Sequence, residues 1–273
     1  MTGLDEKYIV EAYNGLNYQC VETGNKSKIC YILFSSNGLY YPDTASNFQE
    51  QILEKDRYEW KWVVEHSQIP VLAERIIYVR DLYKDWYSKG INSKVNTRDK
   101  LIELLKELTD GYKVITIGSS AGGYMAVLSA IKLNAAWCIN FSGQYTIDTE
   151  TDKTYQDISQ LLGEYRGKIF YCVPAFSEQD IMQYKLVERI DSVKTLLFLS
   201  KKHADTMFAG NMCCIIDKQE EDLITLWNKY NNKKVGKISF LLGTAPVRTI
   251  IKILKREVCG FIIRKTGKCN NGI

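Results

Sequence analysis

Six short runs of β-branched and aromatic residues recur along the chain: Ile29–Ser35 (ICYILFS), Arg75–Arg80 (RIIYVR), Lys113–Ile117 (KVITI), Trp137–Phe141 (WCINF), Lys168–Val173 (KIFYCV) and Lys194–Leu199 (KTLLFL). Each is almost continuously apolar, the pattern of a strand covered on both faces rather than one. Helical patterns lie between them. Leu101, Leu104, Leu105 and Leu108 share one face of Asn96–Leu108, with Thr97 placed to start that helix. Ile181–Ile190 and Cys213–Tyr230 read as further helices, and Tyr8–Glu22 as an antiparallel edge strand or two. Strand–helix alternation of this kind predicts an α/β fold in three layers, a mostly parallel sheet with helices on both faces. Residues 1–244 are expected to form that domain and residues 245–273 a separate tail.

Composition narrows the class. With 273 residues, 45% of them hydrophobic and 25% charged, the chain can bury a large core without disulfides or a structural metal. The eight cysteines show no C-x-x-C pair and the two histidines lie far apart, so free thiols are expected, and no metal or cofactor site. Val247–Lys268 holds seven basic residues and one acid, a net +6 against +4 for the whole chain, leaving −2 for the rest. A body of that charge has no electrostatic reason to bind nucleic acid. The tail places Val247, Ile250, Ile251, Leu254, Val258, Phe261 and Ile262 at helical spacing among the basic residues, which suits peripheral contact with an anionic membrane or packing on protein. No secretory signal and no spanning segment is visible. The expected location is cytoplasmic, with the inner membrane face as a peripheral site.

In a sheet of this type chemistry gathers at the carboxyl ends of the strands. After KVITI comes Gly118-Ser119-Ser120-Ala121-Gly122-Gly123 and then the helical YMAVLSAI. Gly118–Gly122 fits G-x-S-x-G with Ser120 at its centre; Ser119 cannot be the central serine, since Ile117 stands where the first glycine is needed. A serine on a strand-to-helix turn is raised above the sheet at a helix N-terminus, where developing negative charge is favoured. It needs a base. His66 lies ahead of a strand and reads as a surface residue, whereas His203 directly follows LLFLS. A carboxylate should orient that histidine. Asp180, in the loop after KIFYCV, is preferred; Glu178 is its main rival, with Asp148 and Asp205 less well placed.

These residues together resemble the α/β-hydrolase superfamily over roughly Ile29–Tyr230. The segment YVRDLYKDWYSKGI is more loosely similar to hydrolase-like proteins of bacterial surface-polysaccharide clusters. The resemblance implies Ser120 as nucleophile, His203 as base and Asp180 as orienting acid. It also implies an oxyanion hole from the N–H of Ala121 and a second donor in Ser35-Ser36-Asn37-Gly38-Leu39. There Asn37-Gly38 stands where many relatives carry His-Gly, and Ala204 follows His203 where glycine is frequent. Eighteen tyrosines and five tryptophans, many beside charged residues, suit a glycan ester. Ser119, Tyr40 and Tyr41 are then candidate substrate contacts. The expected activity is that of a serine esterase or acyl hydrolase on a small-molecule or glycan ester. A sugar O-acyltransferase of the same fold and a non-catalytic binding protein at the membrane surface are the alternatives.

Overall fold

The computed structural model describes residues 6–148, 153–207, 209–245 and 250–251. In chain order the elements are α1 (Glu6–Tyr13), β1 (Tyr18–Glu22), β2 (Ile29–Phe34), α2 (Ala45–Phe48), α3 (Lys61–Glu65), α4 (Ile69–Leu72) and β3 (Arg75–Val79). They continue as α5 (Arg98–Leu108), β4 (Lys113–Ser119), α6 (Ala121–Leu133), β5 (Trp137–Phe141), β6 (Lys168–Pro174), α7 (Glu178–Val187) and β7 (Val193–Phe198). After β7 come α8 (Ala209–Ile216), α9 (Glu220–Tyr230), β8 (Lys233–Val235) and α10 (Lys237–Thr244).

The eight strands form one sheet in the order β1-β3-β2-β4-β5-β6-β7-β8. Only β1 runs antiparallel, against β3. Because successive side chains point to opposite faces, each strand divides its apolar residues between two layers. Cys30, Ile32 and Phe34 of β2 face α5 and α6, together with Ile77, Val79, Cys138 and Tyr171. Tyr31 and Leu33, with Ile76, Ile117, Ile139, Phe141 and Phe170, face α3, α4, α8, α9 and α10. Full burial of a side chain such as Phe141 or Phe170 is worth about 1.5–3 kcal/mol. Sandwiching between helices explains why the strand sequences lack polar–apolar alternation.

Local signals account for the helices. Thr97 caps α5, its hydroxyl accepting the Lys100 N–H at 3.2 Å. Leu101 and Leu105, one turn apart, are fully buried. From Ala121 to Ala130 every residue of α6 is buried, consistent with a helix apolar on all sides and covered on all sides.

Three parts differ from the sequence reading. The opening segment is a helix followed by a single edge strand. Cys213–Tyr230 is two helices, divided at Asp217-Lys218-Gln219, where the Asp217 carboxylate accepts the Gln68 N–H at 2.8 Å. Asp180 lies in the first turn of α7, not in a loop. Of the tail, Ala245, Ile250 and Ile251 are described, and the rest of residues 245–273 lies outside the described residues. Among the described residues no helix is long and apolar enough to cross a membrane.

The chain leaves β2 for β3 on one side and returns to β4 on the other. Loops after β2 and β4 therefore depart in opposite directions and leave a crevice between the carboxyl ends of two adjacent strands. Phe34 pairs with Gly118 in the register, so Ser35 onward and Ser119-Ser120 flank that crevice.

Candidate active site

Ser120 sits between β4 and α6 with φ 52° and ψ −122°, a conformation that non-glycine residues avoid. Such a backbone persists only where its surroundings over-determine it. Here the Ser120 N–H donates to Phe141 O at 2.9 Å, and its carbonyl accepts the Tyr124 N–H at 3.1 Å, which begins α6. The flanking glycines have packing reasons. A Cβ on Gly118 would stand 2.1 Å from Gly122 O, one on Gly122 2.3 Å from Phe34 O, and one on Gly123 2.4 Å from Asn140 Oδ1. Strand, turn and helix approach so closely that only a missing side chain fits.

Asp180 and His203 come from beyond β6 and β7. Asp180 is 3% exposed, and its Oδ1 meets His203 Nδ1 at 2.8 Å. His203 opens a short 3-10 turn, His203–Met207, beyond β7, and its side chain is 38% exposed. That turn is held from β5: the Ser142 hydroxyl donates to His203 O at 3.2 Å and lies 2.7 Å from the Thr206 hydroxyl. With Nδ1 committed to Asp180, the ring has Nε2 left for a proton acceptor's role.

Ser120, Asp180 and His203 line one cleft of about 540 Å³ with Gln144, Gln179, Met182 and Gln183. Of these only Asp180 and His203 carry ionisable side chains; among the described residues neither lysine nor arginine lines the cleft. The Trp86 indole N–H donates to Gln144 Oε1 at 3.2 Å, which leaves the Gln144 amide N–H₂ free to donate. Gln183 is occupied: its Oε1 accepts the N–H groups of Tyr145 (2.7 Å) and Thr146 (3.0 Å). Another cavity, about 440 Å³ beside Tyr31, Lys113, Trp137 and Glu220, opens at the other end of the strands, away from the serine.

The rival carboxylates go elsewhere. Glu178 and Asp148 are exposed, and Asp205 pairs with Lys237 at 3.0 Å and with the Ser200 hydroxyl. His66 is an exposed residue stacked on Trp62, with Nδ1 2.8 Å from Trp62 O.

Two of the expected contacts are corrected. Tyr40 is 1% exposed, packs edge-on against Phe48 and donates its hydroxyl to Leu82 O at 2.5 Å, so it belongs to the core. Ser119, 1% exposed at the end of β4, is equally out of reach. Tyr41 is exposed but does not line the cleft.

The loop expected to supply the second oxyanion donor, residues 35–39, is more specific than its sequence suggested. The Ser35 N–H donates to Val79 O, the Ser36 N–H to the Glu59 carboxylate, the Gly38 N–H to Ser36 Oγ at 2.9 Å and the Leu39 N–H to Ser36 O. Gly38 is thus removed as a donor. Among residues 35–39 Asn37 alone keeps its N–H free of a partner among the described residues. Ala121, first residue of α6, has no intrahelical acceptor for its own N–H. Gln144, Met182, Ser142 and Glu59 were not singled out from sequence. Ser142 and Gln144 could have been, since they follow the carboxyl end of β5; Met182 and Glu59 depend on pairings between distant segments.

No protein-family model matches the chain, and no curated protein matches it. Solved structures do. The capsule O-acetyltransferase of Neisseria meningitidis serogroup A aligns with a TM-score of 0.50 and 14% identity, over 78% of this chain and 92% of that one. A protein of unknown function from Staphylococcus aureus subsp. aureus Mu50 gives 0.48 and 11% over 83% and 94%, and MenH from S. aureus gives 0.46 and 12% over 74% and 97%. Identities this low speak to fold alone. The eight-stranded sheet, its helices on both faces and the match to the O-acetyltransferase agree: the chain has the three-layer α/β-hydrolase fold.

Proposed function

We propose that the chain is a serine acyl hydrolase working through an acyl-serine intermediate. The observation carrying this reading is the 2.8 Å bond between His203 Nδ1 and Asp180 in a cleft shared with the strained Ser120. Asp180 holds the tautomer in which Nδ1 bears the proton, so Nε2 accepts the Ser120 proton as Oγ attacks an acyl carbonyl. The N–H groups of Ala121 and Asn37 stabilise the developing oxyanion, each worth about 3 kcal/mol of barrier in comparable sites. His203 then returns its proton to the departing alcohol, and water repeats the sequence to free Ser120.

A cleft bordered by Gln144, Gln179 and Met182, with no lysine or arginine lining it among the described residues, favours a neutral hydroxyl-bearing ester such as an acylated sugar over a phosphate or carboxylate substrate. The same amide lining supports a second reading, transfer of the acyl group to a sugar hydroxyl, an activity of the kind named for the capsule O-acetyltransferase. Both share the acylation half-reaction, and the products formed with and without added sugar separate them.

The test is a fluorophosphonate probe with p-nitrophenyl acetate turnover, on wild type and Ser120→Ala. Labelling at Ser120 and loss of turnover in a variant that melts normally is the expected result. Full turnover by a folded Ser120→Ala protein would reject the nucleophile.

A further inference from the structure

We propose that Glu59, a residue outside the cleft, is a positioning residue that sets the second oxyanion donor by holding Ser36. This rests on the serine-hydrolase reading above. Glu59 lies just ahead of α3, and its carboxylate accepts both the N–H and the hydroxyl of Ser36, the latter at 2.8 Å. The neighbouring Trp60 indole donates to Phe34 O at 2.8 Å, and the Tyr87 hydroxyl donates to Ser35 O at 2.8 Å. Three consecutive residues leaving β2 are therefore gripped from outside the sheet. Ser36 passes the grip onward, its Oγ accepting the Gly38 N–H at 2.9 Å. Asn37 is fixed from both sides while its own N–H stays unspent.

A carboxylate suits this place because one residue presents it with two donors side by side, and a forked acceptor takes both. Burial pushes the Glu59 carboxyl above its usual range, although Ser36, Arg57 and Lys84 pull the other way. Glu59 acts only through Ser36, so its removal should leave the binding surface of the cleft intact and misplace the Asn37 N–H. A displacement of about 1 Å at a reacting centre can cost about a hundredfold in rate.

The experiment measures p-nitrophenyl acetate kinetics and melting for wild type, Glu59→Ala, Glu59→Gln and Ser36→Ala. For Glu59→Ala kcat should fall by about ten- to a hundredfold with KM within about twofold. Glu59→Gln, whose carbonyl still accepts the Ser36 N–H, should recover to within about threefold of wild type. Ser36→Ala, which removes the hydroxyl's bond to Glu59 and its relay to Gly38 but keeps the Ser36 N–H on Glu59, should lose a few-fold in kcat at unchanged KM. Wild-type kcat in Glu59→Ala overturns the proposal, as does a loss that appears in KM instead or that Glu59→Gln fails to rescue at equal melting temperature. If Glu59→Ala does not fold, wild-type kcat in Ser36→Ala overturns it. Turnover that survives Ser120→Ala strikes the catalytic reading instead, so the two failures are distinguishable.

Discussion

The loop after β3 is tied to both sides of the cleft, since Trp86 orients Gln144 and Tyr87 holds Ser35. Its shape depends on one buried carboxylate. Asp81, 3% exposed, accepts the N–H groups of Tyr83 (3.0 Å) and Lys84 (3.1 Å) through Oδ1, and those of Asp85 (2.9 Å) and Tyr87 (2.8 Å) through Oδ2. Lys84, Trp86 and Tyr87 all take positive φ. Four amide bonds favour the charged carboxylate, but burial disfavours it more and raises the group from 3.8 to about 6. The folded state then holds the proton more tightly than the unfolded state. The stability this group contributes must rise as pH falls through 6 and level off below 3.8. The full span, about two pKa units, is roughly 3 kcal/mol, of which about 1.3 kcal/mol falls between pH 7 and pH 5.

Asp81→Asn isolates this term. Asparagine keeps Oδ1 but sets an N–H₂ against the amides of Asp85 and Tyr87. Orphaning two donors costs about 2–6 kcal/mol, offset in part at pH 7 by removal of the buried charge. Urea unfolding of both proteins should show a deficit for Asp81→Asn that grows by about 1.3 kcal/mol from pH 7 to pH 5. Comparing variant with wild type at each pH cancels the titration of every other group. A deficit that stays constant, or shrinks with acid, would show that the four amide bonds rather than burial set the charge of Asp81.

Asp180→Asn should preserve the fold and lower kcat for p-nitrophenyl acetate by about 10⁴, because an amide does not hold the imidazole in the proton-accepting tautomer; a loss under tenfold counts against Asp180 as the orienting acid. In Gly122→Ala the new Cβ meets the carbonyl oxygens of Phe34 and Ser35 at 2.3 and 2.7 Å, backbone atoms that cannot swing aside. A cost of about 3 kcal/mol, a fall of roughly 6–12 °C in Tm for a domain of this size, is expected by differential scanning calorimetry. Unchanged melting would mean that strand and helix are less closely packed than this.

How much was legible in the sequence follows from range. Ser120 was, because strand, turn and helix are contiguous and each leaves a local pattern. His203 was, because it directly follows an apolar strand. Sequence favours Asp180 over Glu178 without a local signal to separate them, and the helix that begins at Glu178 does so: two residues apart on an α-helix are about 200° apart around its axis. One therefore points to solvent and the other into the body. The break between α8 and α9 was missed because both halves carry helical spacing, and the Asp217 contact near their junction comes from Gln68, 149 residues away in sequence.

The loop proposed to supply the second oxyanion donor marks the boundary most clearly. Its composition suggested Asn37-Gly38 as a pair, and nothing local separates the two amides. A hydroxyl from Ser36 removes one of them, and that hydroxyl is itself directed by Glu59 across 23 positions. Tyr40 was misjudged for a related reason: next to the loop in sequence, its ring fits a small core with Phe48 and Leu82. Periodicity and turn chemistry, which act over a few residues, determined the layers, the strand ends and the serine. Which carboxylate faces inward, which amide remains free and which tyrosine is buried were decided only when distant segments met, since hydrogen bonds and burial depend on neighbours in space rather than along the chain.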